Sequence, residues 1–204
     1  MQRKGILYVI SGPSGAGKGT VLNEVFKRVS GLFFSVSATT RAPRINEVNG
    51  VNYHFVTDNE FDNLIEKNEM LEYVSKYGNR YGTIRKEVEK MINEYKDVIL
   101  EIETTGASNV KKLLPDMAVN IFIAPPSLPE LWSRLEGRQA EPNCNKELRF
   151  NTSVHEMNCA YDYDYIVVND DLMTCVDKVV GIIESERCKV KYNKQIIQEI
   201  IDKK

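Results

Sequence analysis

The spacing of apolar positions changes several times along the chain, and each change marks an element. Ile6-Leu7-Tyr8-Val9-Ile10 is an unbroken run of apolar, mostly β-forming residues, the pattern of a strand buried on both faces. After Thr20 the spacing becomes helical, with Val21, Leu22, Val25, Phe26 and Val29 at steps of three and four. Leu32-Phe33-Phe34-Ser35-Val36-Ser37 reads as a second, short strand, and "KDVILEIE" (96–103), "MAVNIFIAPP" (117–126) and "YDYIVVND" (163–170) as three more. Helical patterns separate these strands at about 106–114, 127–137, 145–160 and 171–187. Strands alternating with helices predict an α/β fold, a parallel sheet flanked by helices on both faces. Ligands of such sheets gather beyond the carboxyl ends of the strands, where "SGPSGAGKGT", "VSATTRAPR", "EIETTG" and "VVND" all fall.

Residues 38–95 break this rhythm. "RAPRINEVNGVNYHFV" carries a turn signal at Asn49-Gly50 between short β-like pieces. "TDNEFDNLIEKNEM" opens like a capped helix, with Thr57 or Asp58 as the cap and Phe61, Leu64 and Ile65 on one face. "EYVSKYGNRYGT" returns to β-rich composition, and 84–95 is helical again. The segment is an insertion with its own small mixed sheet, rich in Tyr, Arg, Asn and Thr, side chains that a loop keeps when it binds something.

The stretch between the first strand and the first helix carries the strongest chemistry. Gly12, Gly15 and Gly17 permit backbone angles that a side chain forbids, so successive N–H groups can turn inward beside the helix N-terminus. Gly12-Pro13-Ser14-Gly15-Ala16-Gly17-Lys18 fits G-x-x-x-x-G-K, the phosphate-binding loop, with Lys18 reaching toward the outer phosphates of a nucleoside triphosphate. Gly19 stands where a metal-binding Ser or Thr is usual, and Thr20 follows one place later. A glycine-rich turn that only lets strand and helix pack is the plainer reading; the strand–loop–helix context and the lysine weigh against it.

Length and charge narrow what surrounds the loop. The 204 residues fit one domain with insertions. A net charge of −2 and a pI near 5.8 argue against nucleic acid as a partner. No apolar run approaches the ~20 residues that span a bilayer, so no membrane partner is expected. The basic start "MQRKG" leads straight into the first strand and the loop, unlike a signal peptide. Cys144, Cys159, Cys175 and Cys188 show no C-x-x-C pair, which points to reduced thiols and a cytoplasmic location rather than to zinc or a disulfide framework.

Taken together, "SGPSGAGKGT", "SVSATTRAPRINEVNGVNYHF", "YGNRYGT", "IFIAPPS", "RLEGR" and "IVVND" resemble the guanylate kinase family, in order and spacing, from about residue 5 to 187. The resemblance implies a P-loop nucleoside monophosphate kinase that moves the γ-phosphoryl of ATP onto GMP, giving GDP and ADP, with Mg²⁺ accompanying the ATP. It implies a core of 1–37, 96–137 and 151–187, a GMP-binding insertion at 38–95, a lid at 138–150, and a tail at 188–204 outside the match.

Side-chain chemistry can be set beside that implication. Arg41 and Arg44 flank Pro43, which keeps the segment extended, and two guanidinium forks suit a phosphate monoester. In isolation they read as a solvated surface pair. By resemblance, Ser37, Tyr53 and Tyr81 donate hydroxyl hydrogen bonds to the same phosphate. Guanine offers a ring N–H and an exocyclic amine side by side, which one carboxylate can accept together. By resemblance Glu72 does so, Thr83 faces the base oxygen, and Glu103 is a further acid beside the guanine. Composition alone makes Glu72 an ordinary surface carboxylate.

Glu101, at the strand end facing the loop, is with Thr20 a candidate metal ligand. The family usually has glutamine where Thr105 stands. Arg134, Arg138 and Arg149 are the arginines that by resemblance stabilise the transferred phosphoryl together with Lys18 and Arg41. Gln139, Pro142 and Cys144 depart from the family's lid pattern. Asn169 matches a position near the adenine. His54 and His155 have no partner nearby in sequence, and His54 reads as structural.

Two other functions stay open: a related P-loop kinase with another acceptor, and a non-catalytic phosphopeptide-binding domain of the kind found in membrane scaffolds. The tail carries Ile196, Ile197, Ile200 and Ile201 at helical spacing, and either docks on the core or another subunit or stays loose. Oligomeric state is left undetermined.

Overall fold

The structure is a computed structural model that describes residues 3–76, 78–137 and 146–203. In chain order the first elements are β1 (Leu7–Ser11), α1 (Lys18–Arg28) and β2 (Leu32–Phe34). The insertion supplies β3 (Ala38–Thr39), β4 (His54–Phe55), α2 (Asp58–Glu66), β5 (Met70–Lys76), β6 (Asn79–Ile84) and α3 (Arg85–Asn93). The chain then returns through β7 (Asp97–Glu101), α4 (Thr104–Leu113), β8 (Ala118–Ala124), α5 (Leu128–Gly137), α6 (Lys146–Met157), β9 (Tyr165–Val168), α7 (Leu172–Arg187) and α8 (Val190–Asp202).

The main sheet is five-stranded and parallel, in the order β2-β7-β1-β8-β9. β1 lies at its centre, and all five of its residues are buried because helices cover both faces. Tyr8 and Ile10 face a cluster filled by Val21, Leu22 and Val25 of α1 and by Val176, Val179 and Ile183 of α7. Leu7 and Val9 face the opposite cluster, built with Val88 and Ile92 of α3 and Ala107 and Val110 of α4. Each large aliphatic side chain so buried contributes about 1.5–3 kcal/mol of transfer free energy. A second sheet, β4-β3-β6-β5, packs over a small core of Ala38, Phe61 and Met70. The expected α/β architecture with a mixed insertion is therefore present.

Local expectations hold with shifts of a few residues. The second strand ends at Phe34 rather than at Ser37. Beyond Ser35, whose N–H still bonds Ile99 O at 3.0 Å, the chain leaves the main sheet so that Ala38–Thr39 can pair with β6. Ser37 is thereby placed at the junction of the two sheets. α4 begins at Thr104, two residues before the periodic pattern. The helix expected over 145–160 runs from Lys146 to Met157 and tightens into a 3₁₀ turn at Asn158–Asp162. Thr57, not Asp58, caps α2 through a reciprocal capping box with Glu60. Gly50, in the expected turn, has φ +77°.

At the amino end of β7, opposite the strand ends where ligands gather, Asp97 is fully buried and accepts from Arg3, from Arg187 Nε at 2.9 Å and from the Ile6 N–H at 3.0 Å. Charges buried this way are tolerable because every lone pair is used. The tail resolves toward docking: α8 buries Tyr192 in the cluster of β1 and α7, and Lys4 N–H donates to Tyr192 O at 3.1 Å. Ile197, Ile200 and Ile201 remain exposed. Among the described residues Cys159, Cys175 and Cys188 are free thiols, and no helix is long and apolar enough to cross a membrane.

Candidate active site

The loop between β1 and α1 wraps back on itself because three glycines take positive φ: Gly12 at +149°, Gly15 at +92° and Gly17 at +87°. A Cβ on Gly12 would stand 2.1 Å from Ile123 O, and one on Gly17 2.5 Å from Asn169 Nδ2. The second approach is functional packing, since buried Asn169 donates from Nδ2 to Ala16 O at 2.8 Å and braces the loop. Arg134 Nη1 donates to Asn169 O at 3.0 Å while its Nε bonds Glu130, so Arg134 reaches the loop through Asn169. Arg149 Nη2 donates to Ser14 Oγ at 2.9 Å.

Lys18 folds over the loop, donating to Gly12 O at 2.7 Å and Pro13 O at 3.2 Å. Burial holds its pKa below the ordinary lysine range, against the pull of Glu101, Glu103 and Glu156. Gly19 and Thr20 are exposed on the first turn of α1. A Cβ on Gly19 would lie 3.9 Å from Glu101 Oε2, so Glu101 is the carboxylate at this turn. Among the described residues no cluster of three or more acidic, cysteine or histidine side chains could cage a metal. The donor set fits a divalent cation carried mainly on phosphate oxygens, with Glu101 beside it.

The insertion faces this loop across a cavity of about 340 Å³ lined by Ser14, Gly15, Gly17, Lys18 and Gly19 on one side and Ser37, Arg41, Arg44, Tyr53, Glu72 and Tyr81 on the other. Glu101, Glu103 and Arg149 also line it. Arg41 sits 5.4 Å from the Tyr53 ring centroid and 5.8 Å from that of Phe55, and Tyr53 packs edge-on to Tyr81 at 6.1 Å. The Arg41 Nη2 donates to both oxygens of Glu47, at 2.8 and 2.9 Å, and Glu47 also accepts from the Arg44 N–H at 2.8 Å. Those bonds, Arg41's first, keep Glu47 below the usual carboxylate range. A carboxylate occupies the guanidinium much as a phosphate could.

Glu72 is buried at the back of the cavity, 6% exposed. Thr83, itself fully buried, donates from Oγ1 to Glu72 Oε1 at 2.8 Å, so its hydroxyl proton orients the carboxylate rather than pointing into the cavity. Glu72 Oε2 has no protein partner. Burial lifts the carboxyl to about 7, opposed by the Thr83 bonds and reinforced by the charge of Glu103.

Three residues that sequence reasoning passed over, Lys76, Ser153 and Glu156, belong to this site. Lys76 donates to Glu103 Oε2 and, at 2.9 Å, to Glu156 Oε1. Strand parity carried a signal, because Glu72, Val74 and Lys76 alternate onto one face of β5 and all three line the cavity. Arg149, Ser153 and Glu156 lie at helical spacing on one face of α6, and each reaches inward: Arg149 and Ser153 to Ser14, Glu156 to Lys76. Thr105 is exposed and lines a separate cavity. His54 Nε2 lies 3.4 Å from Glu87, outside the cavity, consistent with packing within the insertion. Arg138, Gln139, Pro142 and Cys144 lie outside the described residues, and of the 138–150 segment only 146–150, the start of α6, is described.

A parallel sheet whose central strand runs through a glycine loop onto a helix, with Arg41 and Arg44 of an insertion turned into the cavity opposite, defines a P-loop kinase of a small phosphorylated acceptor. The family model "Guanylate kinase" matches residues 4–186. The guanylate kinase of Clostridioides difficile strain 630 is 46% identical over 197 residues, 97% of this chain and 96% of that one. That of Halalkalibacterium halodurans is 45% identical over 92% of each chain. The crystal structure of guanylate kinase from Anaplasma phagocytophilum superposes with a TM-score of 0.78 at 31% identity, over 93% of this chain and 89% of that one. A shikimate kinase from Bacteroides thetaiotaomicron, 14% identical with a TM-score of 0.50 over 88% of this chain and 98% of that one, shares the fold. The chain belongs to the guanylate kinase family, ATP-dependent nucleoside monophosphate kinases.

Proposed function

We propose that the protein transfers the γ-phosphoryl of ATP to GMP, with the triphosphate on the 12–20 loop and the acceptor in the insertion. The observation that carries this reading is the shared cavity: Lys18 and the loop amides form one wall, Arg41, Arg44, Tyr53 and Tyr81 the other. Two polyanions held face to face need little covalent help, since positioning and charge neutralisation lower the barrier.

Each side chain then has a task. Loop N–H groups and Lys18 hold the outer phosphates. Arg41 and Arg44 grip the acceptor's phosphate, with hydroxyls of Ser37, Tyr53 and Tyr81 completing its bonds. Glu72, oriented by Thr83 at the back of the cavity, is the carboxylate that accepts from the guanine N–H groups, and Glu103 stands beside it. Arg134 and Arg149, with Arg138, spread positive charge over the transferred group, and Asn169 shapes the adenine end of the loop. Mg²⁺ bound on the ATP phosphates would be met by Glu101 and would neutralise charge on the β and γ oxygens; exposed Thr20 is the other candidate.

A coupled assay with GMP, AMP, CMP, UMP and dTMP tests the assignment. Turnover selective for GMP is expected. Selective turnover of another monophosphate would move the acceptor assignment, and no turnover with binding of a phosphopeptide would replace the enzyme reading altogether.

A further inference from the structure

Lys76 is the last residue of β5, in the insertion, yet it donates to two carboxylates, Glu103 and Glu156, that belong to other parts of the molecule. Glu103 immediately precedes α4 at the carboxyl end of β7, and Glu156 lies in the last turn of α6. Lys76 and Glu156 are largely enclosed, at 19% and 8% exposure, while Glu103 is 39% exposed. Glu156 Oε2 is buried without a hydrogen-bond partner, so the ammonium carries nearly all of that carboxylate's compensation. α6 is also the helix whose Arg149 and Ser153 bond Ser14 of the phosphate loop. One ammonium thus touches the insertion, the core strand end and the helix that reaches the loop.

We propose that Lys76 is a positioning residue for phosphoryl transfer: its two ion pairs tie the insertion to α6, and thereby set the distance between the bound acceptor and the arginine on the phosphate loop. The inference rests on the kinase reading above. Without the tie, Glu103 and Glu156 share a pocket with no cation between them, and the insertion and α6 lose their common anchor. The acceptor's phosphate is gripped by Ser37, Arg41, Arg44, Tyr53 and Tyr81, whereas the ion pairs of Lys76 run to Glu103 and to α6, so the tie bears on the acceptor's approach more than on its grip. The loss therefore falls on kcat.

Three single variants and the Lys76→Met/Glu156→Gln double variant test this, each assayed by steady-state kinetics with ATP and GMP and by GMP titration calorimetry without ATP. Lys76→Met should lower kcat by about tenfold or more while the GMP dissociation constant stays within about threefold. Lys76→Arg, which keeps the charge and two donors, should recover most of the lost kcat. Glu156→Gln cuts the same tie from the other helix and should lower kcat similarly, with the double variant no worse than the poorer single one. Glu156→Gln and Lys76→Arg decide the matter if Lys76→Met fails to fold. Undiminished kcat in Glu156→Gln, additive losses, or a change confined to GMP affinity would overturn the proposal. An unsubstituted protein that turns over no GMP would instead overturn the kinase reading.

Discussion

Replacing Glu72 with glutamine removes a titratable group that the fold holds at a disadvantage. The carboxyl is raised from its ordinary 4.5 to about 7, chiefly by burial, and one oxygen finds no donor. In the unfolded chain the group ionises near 4.5; in the folded one it keeps its proton to about 7. The folded state therefore binds the proton more tightly, and the stability this confers is full below the unfolded value and lost as pH rises toward 7. At about 1.36 kcal/mol per unit, ionising Glu72 costs the native fold about 2–3 kcal/mol between pH 5 and pH 8.

Glutamine does not titrate, so the glutamine variant escapes that loss. Its unpartnered amide adds a penalty that does not vary with pH. Urea unfolding of both proteins, without nucleotide, should show the variant gaining about 2–3 kcal/mol on the parent between pH 5 and pH 8. Titrating groups remote from Glu72 cancel in the difference. A stability difference that stays constant over this range would refute the argument that Glu72 is buried with a raised pKa. The same substitution should relax the preference for GMP over AMP, because an amide cannot accept both guanine N–H bonds on two oxygens. Parental GMP affinity should also weaken below pH 7, where Glu72 regains its proton.

Lys18→Ala should reduce kcat by about a hundredfold or more while calorimetric GMP affinity changes less than about twofold; unchanged turnover would remove the ammonium from the mechanism. Gly12→Ala places a Cβ against Ile123 O at a φ of +149°. It should destabilise the fold by about 2 kcal/mol or more and abolish ATP binding, and an unshifted urea midpoint would contradict the loop geometry. Arg41→Lys keeps the charge but loses the planar fork, so KM for GMP should rise by about tenfold or more; an unchanged KM would take Arg41 out of the acceptor site.

The parts of the fold that were legible in the sequence are those whose causes are local. β1, the glycine loop and α1 are contiguous, and their periods and glycines are set within about twenty residues of chain. Where a neighbour decides, the pattern misleads by a few residues. Leu32–Ser37 is uniformly suited to a strand, but the demand that Ala38–Thr39 join β6 ends it at Phe34. β3 and β4 have two residues each, too few for any period to show. The tail's isoleucines announced a helix, while its docking depends on Tyr192 entering a cluster built by residues far away in the chain.

The site divides along the same line. Glycines and Lys18 stand in one motif, and Arg41 and Arg44 flank one proline, so local chemistry finds them. Their counter-ions follow from folding: Lys76 meets Glu103 across 27 residues and Glu156 across 80, and no local pattern pairs them. Yet the need for counter-ions follows from the function itself. A cavity that must hold two polyanions gathers Lys18, Lys76, Arg41 and Arg149, whose mutual repulsion in a partly dry cleft would otherwise oppose folding. Glu47 on Arg41, and Glu103 and Glu156 on Lys76, offset that repulsion while no nucleotide is bound. The bidentate carboxylate on Arg41 is a contact that an incoming phosphate can exchange for its own, whereas the pairs on Lys76 lie between separate elements and can persist as structure. Carboxylates near a phosphate site thus serve two different ends, and what distinguishes them is whether the paired side chains come from one loop or from three.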